Sequence, residues 1–390
     1  MSNKILNIIL PIICGLTAAN GYYIQPLIPE AAQLIGVGYS LISMIYTVTL
    51  IGNSIALVFI TPLGDFVNRK KIISSLYIML FAVLLIFYIS NNVYLLITIS
   101  FFIGLGSCVI PIIIAHLSTN KTSGIAAIGK IMAGVLFGIL LSRFISSFFA
   151  SVWGWKSIYL FAAGCMLFAF ILINYFLPQD DSKKEERVGY FKMALSSFSL
   201  LKFNDSVRRY SLSGFLIMAI FSSFWSNISL HLIRAFSFDQ FAIGLFSLAG
   251  ILGALAALFS RHMLKLFKSH NAMLFIFLLT CFLLMTLYSG HLVALIILTL
   301  AFDGLIQLIH VSNQVNMYGN CRGNESRAAS CYMTSFVLGG AVGTKLSTSI
   351  YLHNGWVGLS IFCAFLCTIG IILNCQTLLK IKKNYKKEVA

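Results

Sequence analysis

The residues best placed to do chemistry in this chain are charges sitting where charge is expensive. Of its 11 acidic residues, ten fall in polar segments or at the ends of apolar runs. The exception is Asp303, near the middle of the apolar run 292–316. An Asp at the centre of a bilayer-spanning segment costs about 2.5–3.5 kcal/mol on insertion scales, so such residues are kept for use. Taking a proton removes that charge, which suits Asp303 to bind a proton or a cationic substrate. The alternative is a protonated hydrogen-bonding clamp between helices. Arg143 and Lys345 lie inside two further apolar runs, each roughly two turns from one end. Lysine can extend its ammonium along the stem to the interface. The planar guanidinium of Arg143 fits carboxylates, so Arg143 is expected to act in coupling, holding an anionic group or pairing with Asp303. Polar and aromatic residues gather at Tyr22, Tyr23 and Gln25, and again at Phe224, Trp225 and Asn227. Gln307 follows Asp303 by one helical turn and shares its face.

The elements that must position these groups are helices in a membrane. The chain is 59% hydrophobic and 10% charged, with mean hydropathy +0.93, outside the range of soluble domains. Since a span takes roughly 20 apolar residues, twelve are read, near 5–27, 40–62, 72–90, 94–116, 124–148, 156–177, 208–232, 241–261, 271–288, 292–316, 329–350 and 357–379. Basic residues sort by parity along them. Of the 27 Lys and Arg, 22 fall in segments on one side, Lys156 and Arg234 on the other, and Lys130, Arg143 and Lys345 within spans. By the positive-inside rule both termini are cytoplasmic, in a multi-pass protein of the inner membrane. The net charge of +16 sits beside helix ends and in the tail, where anionic lipid headgroups are the natural partner; nucleic acid is not expected. Nine cysteines are scattered without CxxC or Cys/His spacing, so neither disulfides nor a zinc site is expected. Neither a nucleophile motif nor paired carboxylates nor a phosphate-binding glycine loop is present, so the chain reads as no enzyme, with no cofactor or metal. The first run follows Lys4 and lacks a small-residue cleavage site, hence an uncleaved span.

The chain also reads as a duplication. The polar segment 178–207 divides the spans six and six, giving a bundle over 1–177, a cytoplasmic linker, and a second bundle with a basic tail over 208–390. Shifting the sequence by 201 residues places Gly52 on Gly253, Met132 on Met333, Gly138 on Gly339, and Gly154-Trp155 on Gly355-Trp356. Parallel repeats of this kind are a transporter architecture, with the site near the midplane between halves. Gly134 and Gly138, with Gly339 and Gly343, give close helix approach, either within each half or as a sliding contact between halves. The second half contains no proline, and the first has one deep within a span, Pro111, which favours rocking of whole bundles over broken helices.

Between the second and third spans comes Thr61-Pro62-Leu63-Gly64-Asp65-Phe66-Val67-Asn68-Arg69-Lys70-Lys71. It resembles the signature found there in the major facilitator superfamily, with Asp65 at the acidic position and Arg69 and Lys70 at the basic ones. Thr61 and Asn68 stand where that signature has glycine. The matching loop, Arg261-His262-Met263-Leu264-Lys265, keeps basic residues and lacks the Asp. The segments Asn20-Gly21-Tyr22-Tyr23-Ile24-Gln25-Pro26-Leu27, Phe302-Asp303-Gly304-Leu305-Ile306-Gln307, Ser312-Asn313-Gln314 and Gly339-Gly340-Ala341-Val342-Gly343 are similar to an uncharacterised bacterial branch related to drug:proton antiporters. The resemblance implies an all-α fold of two pseudo-symmetric six-helix bundles and transport by alternating access. It also implies a cavity lined by spans one, four, seven and ten, hence by Tyr22, Tyr23, Gln25, Phe224, Trp225, Asn227 and Gln307. Asp65 would then gate the inner side beside the start of span eleven, near 327–330. One departure stands out, since such antiporters often carry a Gly-Pro step in span five and this chain has none between Gly134 and Gly138.

The reading is a monomeric secondary transporter exporting a small amphipathic organic compound in exchange for protons, with Asp303 and Arg143 as coupling residues. Aromatic walls with a few amides suit a flat, moderately apolar ligand. Proton-coupled import of a metabolite fits the same residues, and a non-transporting receptor or lipid-handling protein is the alternative from another class.

Overall fold

The computed structural model describes residues 2–118, 124–178, 190–250, 271–319, 321 and 325–388. Within them it leaves aside the side chains of 2–7, 65, 118, 124–128, 191–193, 195–198, 325–326 and 376–388. Among the described residues every regular element is a helix. The first eight are α1 (Ser2–Ala19), α2 (Ile28–Ile35), α3 (Tyr39–Phe59), α4 (Arg69–Ile89), α5 (Val93–Gly106), α6 (Val109–Ser118), α7 (Gly124–Trp153) and α8 (Ser157–Phe176). They are followed by α9 (Tyr190–Phe203), α10 (Asp205–Phe236), α11 (Gln240–Ser247), α12 (Asn271–Leu287), α13 (Leu292–Gly319) and α14 (Glu325–Glu388). Eight stretches of described chain are long and apolar enough to cross a membrane, and three shorter apolar helices lie at 8–19, 240–250 and 271–287. Together they occupy all twelve predicted spans, α14 serving for two because it breaks at Gly355 (φ 63°, ψ −157°). Of span eight, the part up to residue 250 is described.

Packing divides the chain into two units, Met1–Ser197 with Ile228–Leu248, and Phe198–Asn227 with Ala249–Ala390. The end of α10 and all of α11 are thus grouped with the first unit. The polar segment 178–207, read as a plain linker, contains the helix α9; Tyr190 at its start sets its ring edge-on to Phe66 at 5.8 Å and donates to the carbonyl of Phe59.

In the first unit, glycines set the helix contacts. A Cβ at Gly138 would collide with the backbone of Gly15, and one at Gly134 with that of Pro11, so α1 and α7 meet backbone to backbone. Gly52 on α3 and Gly104 on α5 press likewise on the backbones of Phe101 and Thr49. The second unit repeats the first pattern, with Gly339 and Gly343 on α14 against Phe215 and Ala219 on α10. These glycine contacts lie inside each unit. Close approach of small residues supplies dispersion where lipid removes any hydrophobic drive between helices.

The Gly-Trp pairs show the duplication in three dimensions. Gly154 (φ 87°) and Gly355 (φ 63°) have positive φ, a conformation costing an ordinary residue about 1–3 kcal/mol, and each turns the chain between two spans. The tryptophan after each is buried on the corresponding span. Trp155 sets its edge to Phe87 of α4 at 6.2 Å, and Trp356 donates to the carbonyl of Met285 of α12 at 3.1 Å.

Two predicted spans are interrupted. Span one leaves the α-helix at Ala19, turns through 20–24, and resumes as a 3-10 turn at Gln25–Leu27 and then α2. Span four is cut at Ser107-Cys108, just ahead of Pro111, where a ring that cannot follow a helical residue freely places the break. Pro11 also lies inside a helix, α1.

Candidate functional site

The turn that ends α1 carries Tyr22, Tyr23 and Gln25. Gln25 is buried, and its Oε1 accepts a hydrogen bond from Arg143 Nε at 2.8 Å, across 118 residues of sequence. The Arg143 guanidinium, 3% exposed, stands 5.5 Å from the Tyr22 ring centroid, and Tyr22 leans on Tyr46 of α3 at 6.1 Å. Because Arg143 Nε donates to the oxygen, the Gln25 amide nitrogen points the other way, and it has no hydrogen-bond partner. Gln240, at the start of α11, donates to the carbonyl of Pro26 at 3.2 Å and to Ser147 Oγ at 3.1 Å. Ser147 follows Arg143 by one turn of α7, so the Gln25 turn is fixed to the helix that carries the arginine. Tyr23 points elsewhere, edge-on to Tyr159 at 6.4 Å in the core of the first unit.

In the second unit, Asp303 is 6% exposed on α13 and accepts a hydrogen bond from Trp225 Nε1 at 3.2 Å. Phe224 is fully buried between Phe302 at 4.7 Å and Trp356 at 6.0 Å. A Cβ added at Gly250 would lie 3.3 Å from the Trp225 ring and 3.6 Å from Asp303 Oδ2, so this glycine packs against the pair. Asn227 faces α14, donating to Ser347 Oγ at 3.0 Å and to the Ser223 carbonyl at 2.8 Å. Gln307 is partly buried one turn along from Asp303. The stretches 22–25 and 224–227 differ in conformation. The first stretch is a turn, whereas the second lies within the unbroken α10.

Of the three cations within spans, Arg143 alone is buried, while Lys130 and Lys345 are exposed, as extension of an ammonium toward the interface requires.

The loop signature acts as a tie among helix ends. Asn68 caps α4 through Lys71 N at 3.3 Å. Arg69 donates to the carbonyls of Gly64 at 3.1 Å and Ala115 at 3.2 Å, and Lys70 to those of Asn174 at 2.9 Å and Leu177 at 2.6 Å. Cations at carbonyl-bearing helix ends oppose the helix dipole. The side chain of Asp65, and the loop 261–265, lie outside the described residues.

One feature escaped sequence reasoning. A buried polar network joins three helices of the second unit: Asn271 donates to Asn313 at 2.7 Å, Asn313 to Ser213 at 3.0 Å, and Ser312 to Asn271 at 2.5 Å. At its edge Tyr332 Oη meets His310 Nδ1 at 2.9 Å. Ser312 and Asn313 inside an apolar helix were the signal. Away from all of these, a cavity of about 230 Å³ opens between Leu34, Tyr88, Asn91, Trp153 and Lys156. Lys156 donates there to the Ser90 carbonyl and to Asn91, and burial lowers its pKa.

A helical membrane protein that duplicates one bundle and buries a carboxylate and a guanidinium among aromatic rings has the build of a membrane transporter. Residues 12–320 match the Major Facilitator Superfamily. The chain is 31% identical over 374 residues to the uncharacterised transporter YgaY of Escherichia coli O157:H7, covering 94% of each protein. Among solved structures it is similar to the nucleoside transporter NupG, at a TM-score of 0.75 and 14% identity over 97% of this chain and 99% of that one. A bacterial homologue of the human lysosomal transporter Spinster, inward-facing and unoccupied, gives 0.75 at 12% identity over 96% of each. This chain belongs to the Major Facilitator Superfamily and is a multi-pass integral membrane transporter.

Proposed function

We propose that the protein couples proton movement to the export of a small amphipathic organic compound across the cytoplasmic membrane, by alternating access. The observation that carries the reading is Asp303, a buried carboxylate within an apolar helix, held by the indole of Trp225. A carboxyl group within an apolar helix, beside an oriented N–H donor, suits a proton that comes and goes. Phe224, Trp225 and Phe302 give the same unit an aromatic lining, and Gln307 lies on the same helix face. Arg143 serves coupling from the first unit, where Tyr22 and Gln25 orient it. Asp65, Arg69 and Lys70 act as the inner gate, with the helix-end ties of Arg69 and Lys70 as support.

Import is the second reading, favoured by the missing Gly-Pro step between Gly134 and Gly138. Both are tested by reconstituting the protein in vesicles loaded with a pH dye and screening organic compounds. A compound gradient that drives proton movement in the opposite direction supports export by exchange. Movement in the same direction makes the protein a symporter, and proton silence with every transported compound sinks the coupling.

A further inference from the structure

We infer that Gln25, Arg143 and Tyr22 form a binding site for the carboxylate of an aromatic organic acid; the inference rests on the transport reading above and names the substrate class. Three observations converge. Gln25 Oε1 is occupied by Arg143 Nε at 2.8 Å, so the amide is oriented, and its Nε2 is a buried donor with no hydrogen-bond partner. A buried donor left unmade is costly, and a structural clamp between α1 and α7 would have no reason to keep one. Next to it stands a guanidinium, whose planar fork matches two carboxylate oxygens. Beside both lie the rings of Tyr22, 5.5 Å from the guanidinium carbon, and of Tyr46, 6.1 Å from Tyr22.

Donors of one polarity next to a cation select an acceptor that is negatively charged. Flanking rings add a flat apolar body to that requirement, which an inorganic anion would leave unused. The geometry is fixed in advance. Gln240 fastens the Gln25 turn to α7 through Pro26 and Ser147, so little ordering remains when the acid binds. One carboxylate oxygen then accepts from Gln25 Nε2 beside the Arg143 cation, and the ring lies along Tyr22. No atom of the acid needs to be transformed.

The test uses full-length purified protein in detergent, with three probes of one shape: 2-naphthoate, 2-naphthylmethanol and protonated 2-naphthylmethylamine. Naphthoate is expected to raise the thermal transition, with the alcohol and amine at least about tenfold weaker, the size of one charge-assisted hydrogen bond. Gln25→Leu should weaken naphthoate binding about tenfold. Gln25→Glu, which retains an acceptor for Arg143 and so preserves the fold, should weaken it further because its charge repels the probe. Stabilisation by none of the probes, by all equally, or by the amine best overturns the site, as does unchanged naphthoate binding in Gln25→Glu. Proton flux in vesicles is read separately. Naphthoate binding and transport without proton movement removes the coupling and leaves the site. Amine-driven proton movement without a naphthoate response does the reverse.

Discussion

Asp303 and Arg143 announce themselves in the sequence because an apolar run makes any charge within it costly; what each one touches is another matter. Trp225 lies 78 residues before Asp303, and Gln25 lies 118 before Arg143. Nothing in local spacing links them. Asp303→Asn tests the coupling role directly. The amide oxygen can still accept from Trp225 Nε1, so folding should survive, with a thermal transition close to the parent's. Substrate-driven proton movement in vesicles should vanish, because an amide cannot change charge, while downhill exchange persists. A variant carrying Asp303→Asn that still concentrates substrate at the parental rate would make Asp303 a clamp. By sequence Asn227 groups with the aromatic lining, and its Nδ2 donates to Ser347 Oγ and the Ser223 carbonyl; the Ser347 partner, 120 residues away, is one that no local spacing reveals.

At the scale of the element, most helices were legible as apolar length, and their breaks as glycine or proline. Gly154, Gly355 and Pro111 each stand at or just beyond a break, as their backbone chemistry requires. The turn through 20–24 escaped, because an apolar window does not register a helix that stops and resumes at the same hydropathy. The helix α9 escaped for the opposite reason, its polarity hiding it in a linker. The glycine contacts make a quantitative claim. A methyl at Gly138 would enter the Gly15 backbone, forcing α1 and α7 apart, so Gly138→Ala should destabilise by about 1–3 kcal/mol. Gly164 on α8 has nothing within 4 Å of a built Cβ, so Gly164→Ala should be neutral or stabilising by up to about 1 kcal/mol. Thermal unfolding of the purified variants checks both. Equal transitions for the two would mean that the α1–α7 contact relaxes freely and does not depend on glycine. Gly355→Ala carries its own cost, since a Cβ at φ 63°, ψ −157° sits in a region essentially reserved for glycine and is strained by about 1–3 kcal/mol whatever space surrounds it, and its transition should fall although no atom obstructs the methyl.

For the whole molecule, orientation follows from where the cations lie. Lysine and arginine resist translocation during insertion, so short loops that carry them stay on the cytoplasmic side. The 22 basic residues of one parity predict that α9 lies inside and that the short turns between α4 and α5 and between α12 and α13 lie outside. Lys156 is the informative exception. It lies on the sparsely charged side, but its ammonium is absorbed by the Ser90 carbonyl and Asn91 and rests over the Trp155 ring at 5.4 Å, so it satisfies local carbonyls and does not act as a free topological signal. The described positions allow a direct test on a background lacking the nine native cysteines. Ser199 and Lys202 are exposed on α9, and Asn91 and Gly290 are exposed in the two opposite turns. In intact cells an impermeant thiol reagent should modify Asn91→Cys and Gly290→Cys within minutes and leave Ser199→Cys and Lys202→Cys untouched. Permeabilising the membrane should expose all four. Rapid labelling of either α9 position in intact cells would invert the topology. The tie made by Arg69 and Lys70, and with it the proposed gate, would then belong to the outer face.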